Sequence, residues 1–156
     1  MTVTLKYAVV ERERRYLVSA LPDGVVGVHD VVDRYVEGTR LRLRQITAGD
    51  GTVVRKLNHK VRLTDGPAEV ACTSVYLDDA EWALLVALPA RVLHKRRHSV
   101  RRDGWAFAVD ELDDGTLLAE IDDGDHRSDA VPSWLPVVQD VSRHERWTGA
   151  ALASAG

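Results

Sequence analysis

The sequence predicts an α+β protein whose body is an antiparallel sheet closed on itself, with a few helices packed outside. Three observations carry that reading. Six Asp-Gly pairs, at positions 23–24, 50–51, 65–66, 103–104, 114–115 and 123–124, supply hairpin-turn chemistry along the chain. Between them charged and apolar residues alternate with the two-residue period of a strand. The charged faces carry both signs. A half-buried sheet ordinarily turns its polar face to water, whereas mixed charges on strand after strand suit a sheet rolled around a polar interior.

The elements follow in order. Candidate strands lie near residues 6–18, 30–36, 38–46, 52–63, 67–77, 91–101, 104–111 and 116–122. In the first, Glu11, Glu13 and Arg15 share one face while Arg12 and Arg14 take the other. Arg40, Arg42 and Arg44 alternate with Leu41 and Leu43 in the third. Lys56, Asn58, Lys60 and Arg62 share a face of the fourth, and Lys95 and Arg97 share one with Leu93 in the sixth. Asp110 opposes Phe107 and Val109, and Glu120 and Asp122 oppose Leu117, Ala119 and Ile121. Residues 78–88 have an acidic start, strong helix formers and Pro89 just beyond, which marks both ends of a helix. Trp82, Leu85 and Val86 would pack it against the outside of the sheet. A second short helix is expected near residues 144–153, after a loop containing Pro132 and Pro136. No internal repeat, low-complexity tract or linker interrupts residues 1–156, which read as one domain.

Composition narrows the function classes. With 156 residues the chain can bury a real core, and 45% hydrophobic with 29% charged residues is ordinary for a soluble globular protein. No apolar run is long enough to cross a bilayer, so a membrane partner is not expected. Residues 1–10 lack the pattern of a secretory leader, and the lone Cys72 permits no intrachain disulfide, so the expected location is cytoplasmic. A net charge of -3 disfavours binding nucleic acid through bulk positive charge. A homodimer is compatible with all of this.

With every charged face turned inward, the interior holds nine bases (Arg15, Arg40, Arg42, Arg44, Lys56, Lys60, Arg62, Lys95, Arg97) and five acids (Glu11, Glu13, Asp110, Glu120, Asp122). Each unpaired buried charge would cost several kcal/mol. A polyanionic guest removes that cost. Linear triphosphate bears roughly -4 to -5 charges at neutral pH, its terminal groups titrating near ~6, and its oxygens match the guanidinium fork. The carboxylates left over suit Mg²⁺ or Mn²⁺, hard cations that bridge phosphate oxygens.

Other local patterns are weaker. His94-Lys95-Arg96-Arg97-His98, followed by Arg101-Arg102, lacks the interleaved aromatics of a nucleic-acid platform. The spacing of His94 and His98 would suit zinc on a helix, but cations intervene and the segment reads as strand. Asp122-Asp123-Gly124-Asp125 lacks the closing glutamate of a calcium loop. Cys72 reads as a small core residue, and Trp105, Trp134 and Trp147 as packing groups.

Glu11-x-Glu13-x-Arg15 followed by Tyr16-Leu17-Val18 resembles the opening signature of the CYTH superfamily, the triphosphate tunnel metalloenzymes. Leu41-Arg42-Leu43-Arg44, Leu57-Asn58-His59-Lys60 and Lys95-Arg96-Arg97-His98 are similar to its basic strands, and Phe107-Ala108-Val109-Asp110 and Leu118-Ala119-Glu120-Ile121-Asp122 to its acidic ones. Asp140-Val141-Ser142-Arg143-His144-Glu145-Arg146-Trp147 is similar to its closing segment. The resemblance spans nearly the whole chain. It implies an eight-stranded antiparallel β-barrel tunnel with helices outside, holding a small-molecule triphosphate with Mg²⁺ or Mn²⁺. It further implies that Glu11, Glu13, Glu120 and Asp122 hold metal, and that Arg42, Arg44, Lys60, Lys95, Arg97 and Arg146 hold phosphates; strand alternation adds Arg40 and Lys56 to the phosphate-binding set. The catalytic set would be Glu11, Glu13, Arg15 and Asp110, with Asp122 or Asp110 orienting water. Arg15 stands where the signature has lysine. Cys72 and Ser74 stand near a usual glutamate pair, Ala108 at a frequent glutamate and Gly149 at a common asparagine. The expected activity is metal-dependent triphosphate hydrolysis; its rivals are a nucleotidyl cyclase and a non-catalytic polyphosphate or nucleotide sensor.

Overall fold

The computed structural model describes residues 5–155; residues 1–4, part of the opening read for a leader, lie outside them. Eight strands form the body: β1 (Val9–Val18), β2 (Val25–Val36), β3 (Leu41–Ala48), β4 (Val53–Arg62), β5 (Glu69–Tyr76), β6 (Ala90–Arg102), β7 (Trp105–Leu112) and β8 (Leu117–Asp122). Every pairing is antiparallel, and the neighbours run β6-β2-β3-β4-β5-β1-β8-β7, with β7 returning to β6. The sheet is therefore a closed eight-stranded barrel. Closure removes the free edges that an open sheet would expose.

Turn chemistry explains much of the register. Asp103 and Gly104 both take positive φ, 51° and 81°, the two-residue turn that matches strand twist, and so join β6 to β7 tightly. Asp50-Gly51-Thr52 and Asp114-Gly115-Thr116 repeat one device, in which the aspartate Oδ1 accepts from the threonine N–H two residues on. Not every Asp-Gly pair makes a hairpin. Asp23-Gly24 joins β1 to β2, which are not neighbours, and Asp123-Gly124 leads into a long loop.

β2 begins five residues before the expected boundary, and Arg40 lies in the turn ahead of β3 rather than within it. Two short strands, β9 (Val137–Asp140) and β10 (Ser154–Ala155), escaped the sequence reading. β9 pairs with Tyr16–Val18 of β1, on the edge that β5 leaves free. Its four residues are all exposed and follow Pro136, so no apolar alternation announced it. Helix α1 (Asp79–Leu85) is closed at its start by a capping box between Asp78 and Glu81. Arg34 donates to the Val86 carbonyl, and Arg55 pairs with Asp79 and lies over Trp82, which hold α1 on the outer wall. The second helical region splits into a 3-10 turn (Glu145–Trp147) and α2 (Gly149–Leu152), followed by the two-residue β10 (Ser154–Ala155) on β6.

The apolar core lies outside the tunnel. Tyr16, Val18, Val100, Phe107, Val109, Ala119 and Ile121 point outward from β1, β6, β7 and β8 beneath Leu135, with Trp134 stacked on Phe107. Arg12 and Arg14, facing away from Glu11 and Glu13, tie down this covering loop. Arg14 forks onto Asp123 at 2.8 and 2.9 Å and donates to the Ala130 carbonyl, and Arg12 donates to that of Gly124.

Candidate functional site: a charged tunnel

With a hydrophobic core outside the wall, the inward positions of β1, β3 and β4 carry mainly polar side chains. They surround a cavity of about 840 Å³, within the size range of small-molecule sites. Its lining includes Glu11, Glu13 and Arg15 from β1, Arg42 and Arg44 from β3, and Lys56, Asn58, Lys60 and Arg62 from β4. Lys95 and Arg97 enter from β6 and Glu120 and Asp122 from β8, with Arg40 at the β2–β3 turn. Thirteen of the fourteen charged residues assigned inward by alternation thus line one space. The exception, Asp110, is buried behind them.

Register sets the contacts. Arg15 lies opposite Glu120 across the β1–β8 ladder. Its Nη2 donates to Glu13 at 2.6 Å and its Nε lies 3.6 Å from Glu120, while Nε and Nη1 are buried without a hydrogen-bond partner. Arg97 forks onto Asp110 at 2.8 Å and reaches Glu120 at 3.1 Å. Lys95 Nζ lies 2.8 Å from Asp110. Lys60 donates to Glu11 at 3.3 Å, and Arg42 donates twice to Asn58, which in turn donates to Ser74. Among the described residues Lys56 has no acidic partner. Burial, then the charges of Arg44 and Arg42, depress its pKa.

The carboxylates respond unequally. Burial and the adjacent Glu120 push Glu13 up, against the pull of Arg15 and Lys60. Burial also disfavours the Glu120 anion, but Lys95, Arg97 and Arg15 override it and hold the group well below the usual carboxylate range. For Glu11 the burial penalty is likewise outweighed by Lys60. Neighbouring carboxylates pushed apart in this way mark a place where a cation or a proton would settle.

Several expected roles change. Asp110 is fully buried with both oxygens engaged by Lys95 and Arg97, so it is a fixed counter-ion and does not reach the cavity to orient water. Asp122 reaches the lining, but its Oδ1 accepts from the backbone N–H groups of Arg12 and Gly124, which ties it to the chain reversal after β8. Arg146 is exposed, stacks on its neighbour Trp147 and is absent from the lining. Arg62 faces the cavity but forks onto Glu145 at 2.6 and 2.7 Å, holding the 3-10 turn at the rim.

Two interior residues were missed. Asp33 on β2 is fully buried and accepts from Arg44 at 2.6 and 2.7 Å. Tyr35, two residues on, lines the cavity, and burial followed by the charge of Asp33 pushes its phenol up to about 12. A signal existed: Val31, Asp33 and Tyr35 alternate with Val32, Arg34 and Val36, so the carboxylate and the phenol share one face.

Among the described residues no group of three or more histidines, cysteines or acids is arranged to hold a metal by itself. The donor chemistry nevertheless fits a shared ion. Mg²⁺ is commonly held by one or two carboxylates with the remaining positions filled by water and phosphate oxygens, and Glu13 beside Glu120 supplies such a pair.

The chain resembles two solved structures. The PH1012 protein of Pyrococcus horikoshii OT3 aligns with a TM-score of 0.54 at 15% identity, over 72% of this chain and 77% of that one. A conserved hypothetical protein from Pyrococcus furiosus aligns with a TM-score of 0.52 at 18% identity, over 80% and 81%. No family model and no curated protein matches the chain. At these identities the relationship is one of fold, a closed antiparallel barrel that this chain shares with proteins of two Pyrococcus species.

Proposed function

We propose that the barrel binds a linear triphosphate, inorganic or carried on a small organic group, and hydrolyses it with Mg²⁺ or Mn²⁺. The observation that carries this reading is the convergence of Arg15, Arg42, Arg44, Lys56, Lys60 and Arg97 on one cavity, with buried Arg15 donors unpartnered and Lys56 without an acidic partner among the described residues. Buried donors without partners are costly, and phosphate oxygens would satisfy them.

The reaction would be in-line attack of water on a terminal phosphorus, where catalysis is chiefly positioning and charge stabilisation. Arg44, Lys56 and Arg97 would bind non-bridging oxygens and Arg15 would meet charge developing nearer Glu13 and Glu120. Two charges ~4 Å apart interact by about 4 kcal/mol at an effective dielectric near 20, so a few such contacts account for a large rate effect. Glu13 and Glu120 would hold the divalent ion, which would supply positive charge to neutralise phosphate oxygens. A cytoplasmic setting accords with this chemistry and with a reduced Cys72.

Phosphate release from tripolyphosphate, ATP and thiamine triphosphate, each with Mg²⁺, Mn²⁺ or chelator, tests the proposal. Metal-dependent release that is lost in Glu13→Gln is expected. Binding without release would favour a sensor, and pyrophosphate with a cyclic nucleotide would favour a cyclase.

A further inference from the structure

One buried acid belongs to this site without facing what the site would hold. Asp33 lies on β2 between β3 and β6, directly across from Arg44 on one side and Leu93 on the other. None of it is exposed. Oδ1 accepts from Arg44 Nε at 2.6 Å and Oδ2 from Arg44 Nη2 at 2.7 Å. Arg42 Nε approaches Oδ1 at 3.9 Å, and Lys95 Nζ approaches Oδ2 at 3.8 Å. One carboxylate thus anchors cations from two neighbouring strands.

The consequence is geometric. A guanidinium has five N–H donors in a rigid fork, and Arg44 spends one edge on Asp33. That fixes the plane of the group and leaves its other donors at the cavity, which Arg44 lines. Without the anchor Arg44 would face the like charges of Lys56, its partner across β3–β4, and of Arg97, with Glu120 the acid left to offset them. Burial disfavours the Asp33 anion, but its bonds to Arg44 and the charges of Arg44, Arg42 and Lys95 keep it ionised. It is therefore a permanent counter-charge. It weakens the pull of the basic ring on an anion while fixing where the ring points.

Resting on the triphosphate reading above, we infer that Asp33 is a positioning residue for phosphoryl transfer, acting through Arg44 and secondarily through Arg42 and Lys95. The two effects of its charge separate in an experiment. Asp33→Asn keeps the size of the side chain, adds one net positive charge to the tunnel and breaks the fork. Turnover should fall by about 10- to 100-fold, the loss expected when a binding group is displaced by ~1 Å. The KM for tripolyphosphate should hold or decrease, because the ring has become more positive. A merely structural role would lower the active fraction without tightening substrate binding.

The measurement is steady-state phosphate release from tripolyphosphate with Mg²⁺, together with calorimetric binding of tripolyphosphate to the full chain. Lower kcat per binding site counted by calorimetry, with unchanged or lower KM, supports the assignment. An unchanged kcat per site, or a raised KM, overturns it while leaving the proposed function standing. If the unsubstituted chain neither binds nor cleaves tripolyphosphate, the proposed function falls and the assignment falls with it. Should Asp33→Asn fail to fold, Asp33→Glu keeps the charge and leaves Arg44 in place but displaces the fork by one methylene, and a lower kcat with unchanged KM is expected. Failure of both variants to fold would make Asp33 a structural residue and overturn the inference.

Discussion

Gly149 packs directly against the phenol of Tyr35: a Cβ built on the glycine would fall inside the contact shell of the Tyr35 hydroxyl, with the ring carbon Cζ only 2.9 Å away. The residue in α2 and the residue in β2 thus determine together how the closing segment covers the tunnel, since both line its cavity. Gly149→Ala should destabilise the fold by about 1–3 kcal/mol, the usual cost of overpacking. Tyr35→Phe in the same chain should recover part of it. Thermal unfolding of the two single variants and the pair gives the coupling directly, and strict additivity would contradict this packing.

Lys56 has an opposite balance of costs. It is partly desolvated beside Arg44 and Arg42 and has no acidic partner among the described residues. Lys56→Met should raise stability by about 0.5–2 kcal/mol, as removal of a strained functional group often does. The same change should weaken tripolyphosphate binding by about tenfold, equivalent to ~1.4 kcal/mol. Denaturant unfolding and calorimetry on one preparation test both halves.

Glu13, Glu120 and Asp33 give the stability a composite pH dependence. The folded chain holds the Glu13 proton more tightly than the unfolded chain, because of burial and then Glu120. Its contribution therefore stabilises in acid and is lost as pH rises from about 4.5, the ordinary glutamate value, through the raised folded value. Glu120 and Asp33 have the opposite sign. Their folded values lie below 4.5 and 3.8, so their contribution is present above those values and lost as pH falls toward the folded ones. Glu13→Gln should consequently stabilise the metal-free protein at neutral pH and reduce its affinity for Mg²⁺. In the unsubstituted chain Mg²⁺ affinity should climb as pH rises through the Glu13 titration; a flat profile over that range would exclude Glu13 as a ligand.

The Arg62–Glu145 pair is half exposed, with side-chain exposures of 44% and 58%. Such pairs contribute 0–1 kcal/mol, so Glu145→Gln should change the unfolding temperature little. Arg62 also faces the cavity, and loss of its competing carboxylate should tighten tripolyphosphate binding by about two- to fivefold at low salt. That gain should shrink as ionic strength rises.

Strand alternation is why so much of the tunnel was legible in the chain. A period of two fixes which side chains share a face, so the chain itself groups Glu11, Glu13 and Arg15, the arginines of β3 and the lysines of β4. Periodicity carries no distance, and partner choice was beyond it. Asp33 takes Arg44 because β2 lies beside β3 in the ring, Asp110 is saturated by Lys95 and Arg97 because β6 meets β7, and Arg146 turns outward onto Trp147 because the closing segment is a 3-10 turn there. The exposed β9 had no periodic face to read at all. Local sequence determined the strands, the hairpin turns and the inward charges, because those depend on residues a few positions apart. Closure of the barrel alone decided which acids neutralise which bases and which cations stay free, because ion pairing depends on separations of a few ångströms between residues distant in the chain.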